Sequence, residues 1–197
     1  MNRGKPLAFL LLLLFSLALM SCRFWFTPEM NPFYQTVLAT HPNHPTALYL
    51  QGEQLFEQGH FEKSARFFEK LAAACPDHER GWLALGKCRL ELTDGAGALS
   101  AFRKALALET SVDAKLGVAS AHLILGDLDL AQEELQAVYA VFGESAPYRR
   151  LKGDLAFIRE QPETAMAHYS RSLELNPNQP QLKARLHALR RYIRPYR

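Results

Sequence analysis

Few residues in this chain of 197 residues have types and spacings that suggest chemistry. His41 and His44 form the only close histidine pair, and a metal ion there would need further ligands that the neighbouring residues do not supply. Cys75 ends one predicted helix and Cys88 lies about eight residues into the next, roughly 12 Å along a helix axis. That separation is too long for a disulfide between helices packed side by side. Neither pair therefore predicts a metal or redox site.

The acidic residues and the glycines do not form a catalytic motif. Glu133 and Glu134 are adjacent, so their side chains diverge on a helix and cannot act as an acid and base pair. The sequence contains no Gly-rich phosphate loop, no nucleophile elbow and no zinc-binding helix motif. We therefore predict that the protein is not an enzyme and has no catalytic residue, metal or cofactor.

The third cysteine, Cys22, lies in a different context at the amino end. A basic start with Arg3 and Lys5 is followed by an apolar run from Leu7 to Leu19 and then by Leu19-Met20-Ser21-Cys22. This arrangement resembles the signal of bacterial lipoproteins, in which the cysteine is diacylated and becomes the new N-terminus. The run is shorter than the ~20 residues that a spanning helix needs. The resemblance implies a signal peptide at 1–21 and lipidation of Cys22; an ordinary secretory signal and an uncleaved anchor are the alternatives.

The same resemblance suggests a location. Residues 22–30 form a short tether that includes Phe24-Trp25-Phe26. In sorted lipoproteins, a residue such as Arg23 in place of Asp after the cysteine implies the outer membrane, if the host has one. We expect a lipid-anchored protein on the periplasmic side of the bacterial cell envelope.

Composition and charge exclude other classes. The chain is 48% hydrophobic and 22% charged, which is typical of globular proteins and excludes disorder and collagen. The formal charge of +3 is too small to indicate a nucleic-acid binder. Removal of 1–21 leaves +1, made up of −5 over 22–180 and +6 over the remainder. The basic tail consists of Lys183, Arg185, Arg190, Arg191, Arg194 and Arg197.

Similar residues recur along the chain at a nearly constant spacing, which indicates a repeated unit that positions any site. We call each set of equivalent positions a column. One column holds a small residue: Gly52, Gly86, Ala119 and Gly153. A second lies later in each copy: Pro76, Thr110, Gly143 and Pro177. Between them, the small residues Ser64, Ala98, Ala131 and Ala165 are each followed one helical turn later by Phe68, Phe102, Leu135 and Tyr169. Residues four apart share one face of a helix, so the columns predict interlocked helix pairs.

This pattern resembles the tetratricopeptide repeat, a helix-turn-helix unit with a period of about 34 residues. The second copy is the clearest, through Trp82, Leu85, Gly86, Ala98, Phe102 and Ala105. The resemblance implies an all-α, right-handed superhelical solenoid of stacked repeats with capping helices. It covers 45–179 as four repeats, at 45–78, 79–111, 112–145 and 146–179.

Both ends of the array are predicted to be caps. Residues 31–44 read as the second helix of a missing half-repeat. At the other end, residues 180–197 place Leu182, Leu186, Leu189 and Ile193 on one helical stripe that should cover the fourth repeat. The basic residues lie off this stripe and are predicted to be partly a solvated outer face.

In the resembled family the first helices of the repeats line a concave groove, and some positions there also contribute to the core. The matching positions here are Tyr49, Glu53, Phe56, Leu83, Lys87, Leu90, Leu116, Ser120, Leu123, Arg150, Asp154 and Phe157. Family members that hold C-terminal carboxylates of chaperones use a Lys and an Asn one turn apart, and the matching pairs here differ. The mostly apolar floor favours an extended or helical peptide anchored by its side chains.

Three functions follow as hypotheses. The first is a non-catalytic, membrane-tethered scaffold that binds a protein or peptide in the groove and serves assembly of an envelope or pilus complex. The second is a peripheral protein that binds phospholipid or lipopolysaccharide through the basic tail. The third is a regulatory subunit of an envelope enzyme. The oligomeric state is left open.

Overall fold

The structure is a computed structural model that describes residues 32–193. Within this range the chain forms ten α-helices and no strand. The helices are α1 Pro32–Thr40, α2 Pro45–Glu57, α3 Phe61–Ala74, α4 Glu79–Glu91, α5 Gly95–Leu108, α6 Val112–Leu125, α7 Leu128–Phe142, α8 Ala146–Ile158, α9 Pro162–Leu175 and α10 Pro180–Ile193. The all-α repeat fold predicted from the columns is confirmed.

Side chains that precede the first helices fix where these helices begin. Ser111 and Ser145 cap α6 and α8 by accepting hydrogen bonds from Ala114 N and Tyr148 N. His44 and His78 do the same for α2 and α4, with Nδ1 to nitrogen distances of 3.3 and 3.0 Å. His44, one of the two histidines considered as metal ligands, thus serves as a helix cap.

The helices form two layers. Within each repeat the first helix packs against the second, and each second helix packs against the first helix of the next repeat. First helices of neighbouring repeats also contact one another (α2, α4, α6 and α8), whereas in the described part of the chain the second helices of neighbouring repeats do not. The first helices therefore make a continuous inner layer.

In three of the four repeats the recurring small residue is a glycine, and an aromatic ring occupies the space that its side chain would fill. A Cβ atom on Gly86 would lie 2.6 Å from the ring of Phe102, and one on Gly52 would lie 2.7 Å from Phe68. Both rings are at most 1% exposed. Any side chain at these glycines would displace a core aromatic, which gives the column its physical cause.

Ser64 stands where the other three repeats have Ala, and the structure explains the difference. Its Oγ donates a hydrogen bond to the Gly52 carbonyl oxygen at 2.7 Å and lies 3.2 Å from Cys88 Sγ. Burial raises the pKa of the Cys88 thiol to about 11. Cys88 therefore acts as a small buried side chain, and both it and Cys75 are free thiols.

Helix α10 closes one end of the array. Leu182, Leu186 and Leu189 are 4 to 6% exposed and pack with Ala165 and Tyr169 of α9. Burial of a leucine side chain contributes about 1.5–3 kcal/mol, so these contacts hold the last helix in place.

Several predictions fall on residues outside the described range. They are the signal peptide at 1–21, lipidation of Cys22, the tether at 22–30, and Arg194 and Arg197 of the basic tail. Among the helices that are described, none has the length and apolar character needed to cross a membrane.

Candidate functional site

The inner layer carries two adjoining cavities of about 560 and 280 Å³. Both are lined by Leu90, Glu91, Ser120, Arg150 and Leu151, so they form one continuous depression, which we call the groove. It extends from Phe56 on α2 to Arg185 on α10. Glu91 on α4 and Arg185 on α10 line the same cavity, so residues from non-adjacent helices meet there.

The structure brings together most of the residues that the repeat pattern assigned to this surface. Those lining the groove are Phe56, Lys87, Leu90, Leu116, Ser120, Leu123, Arg150, Asp154 and Phe157. Their role in binding stays a prediction.

Three predicted residues, Tyr49, Glu53 and Leu83, do not line either cavity of the groove. The ring of Tyr49 packs on Phe68, with ring centroids 5.8 Å apart. Burial and the neighbouring Glu53 raise the pKa of Tyr49. Leu83 packs against the core cluster that contains Phe102. Tyr49 and Leu83 are therefore supporting side chains.

The groove has a closed floor and an accessible apolar rim. Leu116 and Leu151 are 6% and 3% exposed and belong to the core. Ile124, Phe157 and Ile158 are 40 to 53% exposed. Exposed apolar side chains that adjoin one another mark surfaces suited to binding, so a ligand side chain would gain most by covering this rim.

Repeat spacing could have identified three of the lining residues that the sequence analysis did not assign to the groove. Glu91, Ile124 and Ile158 follow one another at intervals of one repeat length and so share one repeat position. Each lies one residue beyond a predicted groove residue at the end of a first helix. The recurrence of these three residues at one repeat position was the sequence signal that could have identified them.

A charged cluster lies at the α10 end of the groove, around Asp154. Its Oδ1 accepts hydrogen bonds from the Tyr169 hydroxyl at 2.8 Å and from Arg185 Nη1 at 2.5 Å, and its Oδ2 accepts one from Arg150 Nη1 at 3.4 Å. Burial, together with the charge of Asp154, raises the pKa of Tyr169 to about 12. The phenol therefore stays protonated and donates to Asp154.

Arg185 lies at the edge of the groove, whereas the basic tail was predicted to be partly a solvated outer face. The buried leucine stripe fixes the rotation of α10, and this rotation directs Arg185 over α8. Its side chain also borders two further cavities of about 620 and 420 Å³ beside the groove. Lys183, Arg190 and Arg191 are exposed on other faces of α10.

A second charged network joins the loop between α7 and α8 to helices α8 and α9 and was not predicted. Glu144 Oε1 accepts from Arg149 Nε at 2.5 Å and from Arg171 Nε at 3.0 Å. The hydrogen bonds from Arg171 and Arg149 lower the pKa of Glu144 to about 2. This network joins neighbouring helices and lies apart from the groove. Among the described residues, no three His, Cys, Asp or Glu side chains are grouped to hold a metal ion.

The comparisons with known proteins agree with the repeat geometry. A family model described as a tetratricopeptide repeat matches residues 33–79, 52–114 and 118–180. No curated protein sequence matches the chain significantly.

Solved structures with the same arrangement are similar at low sequence identity. A thermophilic TPR protein from Thermus thermophilus has a TM-score of 0.65 at 20% identity, over 79% of this chain and 86% of that one. MamA from Desulfovibrio magneticus RS-1 has a TM-score of 0.65 at 20% identity, over 84% and 95%. YrrB, described as a TPR protein with an unusual peptide-binding site, has a TM-score of 0.61 at 22% identity, over 80% of each chain. These similarities concern the fold.

Proposed function

Since this chain belongs to the tetratricopeptide repeat family, we propose that it is a non-catalytic scaffold whose groove binds a protein or peptide. We further propose that a lipid on Cys22 tethers it to a membrane of the bacterial cell envelope, on the periplasmic side. There it would hold a partner during assembly of an envelope or pilus complex.

The observation that carries this proposal is the groove itself. It joins a rim of partly exposed apolar side chains, centred on Phe157, to the charged cluster around Asp154. Apolar surface provides binding free energy, and charged side chains at its edge select the orientation of a peptide. The similarity to YrrB, a TPR protein with a peptide-binding site, supports a peptide ligand.

The tether is supported by the sequence alone. An apolar run from Leu7 to Leu19 precedes Ser21-Cys22, as in lipoprotein signals. If Cys22→Ala leaves the protein in the membrane fraction of its host, the lipid anchor is wrong.

Binding in the groove is tested by crosslinking and affinity purification from membranes with the full chain and a Leu90→Glu, Phe157→Glu double variant. We expect the double variant to lose the crosslinked partner, because two charges would be placed on the apolar lining. Phe157→Glu alone is a second variant that keeps the test valid if the double variant unfolds, since Phe157 is 53% exposed.

Val141→Glu is the matched control, because Val141 is 69% exposed on α7 and lines no part of the groove. Retention of the partner by the folded groove variants would contradict the proposal. The basic tail is tested by Lys183→Glu, Arg190→Glu and Arg191→Glu together. Release of the chain from membranes by this triple variant, or by high salt, would favour lipid binding through α10.

A further inference from the structure

Lys152 on α8 occupies a position that the other repeats fill with core side chains. It directly precedes the recurring small residue Gly153, and the equivalent positions hold Gln51, Leu85 and Val118. These three uncharged side chains are at most 3% exposed, whereas Lys152 is only half-buried. A charge at the edge of a core costs free energy unless it is paired. Packing alone therefore does not account for this lysine.

Two arginines lie on the same face of α8 as Lys152. Arg149 precedes it by three residues and Arg159 follows it by seven, and both spacings place side chains on one face of a helix. Arg149 Nη1 lies 3.2 Å from His168 Nδ1 on α9. Arg159 Nη2 donates a hydrogen bond to Asp129 Oδ1 on α7 at 2.7 Å. This face of α8 therefore lies between α7 and α9, two described helices that make no backbone contact with each other.

The positive charge of this face is not neutralised within the described part of the chain. The carboxylates that contact it, Glu144 and Asp129, already pair with arginines. Lys152 has no hydrogen-bond or ion-pair partner among the described residues. Burial lowers the pKa of Lys152, and the positive charges of Arg159 and Arg149 lower it further. An anion placed beside Lys152 would relieve this repulsion, so the face favours an anionic ligand.

We propose that Lys152, with Arg149 and Arg159 on either side along α8, binds a phosphate-type anion between α7 and α9. Phosphate offers several acceptor oxygens and up to about two negative charges, so it can accept hydrogen bonds from lysine and arginine together. The anion is inorganic phosphate or the phosphate group of an ester such as a lipid headgroup. None of the three side chains lines the groove, so this site does not depend on the proposed function.

The test is an amide NMR titration of the full chain with inorganic phosphate, in a phosphate-free buffer held at constant ionic strength with chloride. We expect saturable shifts confined to α8 and the facing parts of α7 and α9. Lys152→Leu should lower the affinity at least about tenfold, because hydrogen bonds from a charged donor are lost. This variant should fold, since the second repeat has Leu85 at the equivalent position. Lys183→Leu, which removes an exposed lysine of α10, is the matched control and should leave the affinity unchanged.

A parallel titration with glycerol 3-phosphate distinguishes the two sources of the anion. Binding of inorganic phosphate alone assigns the site to the free anion, and binding of glycerol 3-phosphate shows that it admits a phosphate ester. Arg159→Gln should also weaken binding, and it replaces Lys152→Leu if that variant unfolds. The proposal is overturned if neither probe gives saturable shifts at α8, or if the folded variants bind both probes as tightly as the wild type.

Discussion

A Cβ atom on Gly117 of α6 would lie 2.5 Å from the ring of Phe102 on α5. The same ring also leaves no room for a Cβ on Gly86 of its own repeat. Phe102 is thus held between two glycines, one in each of two neighbouring repeats, and joins the second repeat to the third.

This contact makes Gly117→Ala destabilising even though Ala is the better helix former. The methyl group must displace a ring that is 1% exposed, and overpacking of this kind typically lowers the free energy of unfolding by about 1–3 kcal/mol. Urea unfolding followed by circular dichroism measures the change. Ser100→Ala on the exposed face of α5 is the control and should shift the free energy by less than about 0.5 kcal/mol. In a double variant with Phe102→Leu the two effects should be strongly non-additive; simple additivity would show that the ring does not cause the loss.

Gln51 is buried in α2 although none of its side-chain polar atoms has a hydrogen-bond partner among the described residues. One repeat later, the same position holds Leu85, which is buried in the core. We expect Gln51→Leu to raise the free energy of unfolding by about 1–3 kcal/mol, because an unsatisfied buried amide carries a desolvation penalty of that size. Thermal and urea unfolding measure the gain. Gln136→Leu on the exposed face of α7 should have little effect, and a loss of stability in Gln51→Leu would contradict the expectation.

Stability should depend on pH through Glu144. Its pKa of about 2 in the folded protein is below the value of about 4.3 expected in the unfolded chain. A lowered folded-state pKa means that the stabilisation is complete above pH ~4.3 and is lost as the pH falls toward 2. We expect Glu144→Gln to lower stability at neutral pH and to weaken its decline between pH ~4.5 and 2.

Urea midpoints across this pH range test the role of Glu144. Glu133→Gln is the matched control, because Glu133 is exposed on α7 and makes no ion pair in the described part of the chain. It should keep the pH dependence of the wild type. If Glu144→Gln also keeps it, Arg149 and Arg171 do not stabilise the fold through this carboxylate.

The repeat fold could be predicted because its cause is local and recurs along the chain. Gly86 and Phe102 occupy set places in their repeat, and the same pairing of a small residue with a bulky one appears in each copy. Half of the residues that line the groove were assigned to it from the repeat positions. Leu83 and Leu116 hold the same repeat position and both pack against core clusters, yet of the two only Leu116 lines the groove. Periodicity therefore does not determine where along the array the groove lies.

By itself the sequence determined the helix pairs and the interlocking of small and bulky residues, because both follow from spacing within one repeat. Only the tertiary structure decided how the charges meet. Asp154 and Arg185 are 31 residues apart and belong to different repeat elements, and they join because the buried leucines of α10 set its rotation against α9. The difference between α10, which buries three leucines, and α1, which has no buried residue, was likewise decided by packing, since a terminal helix is buried only where a neighbour lies against it.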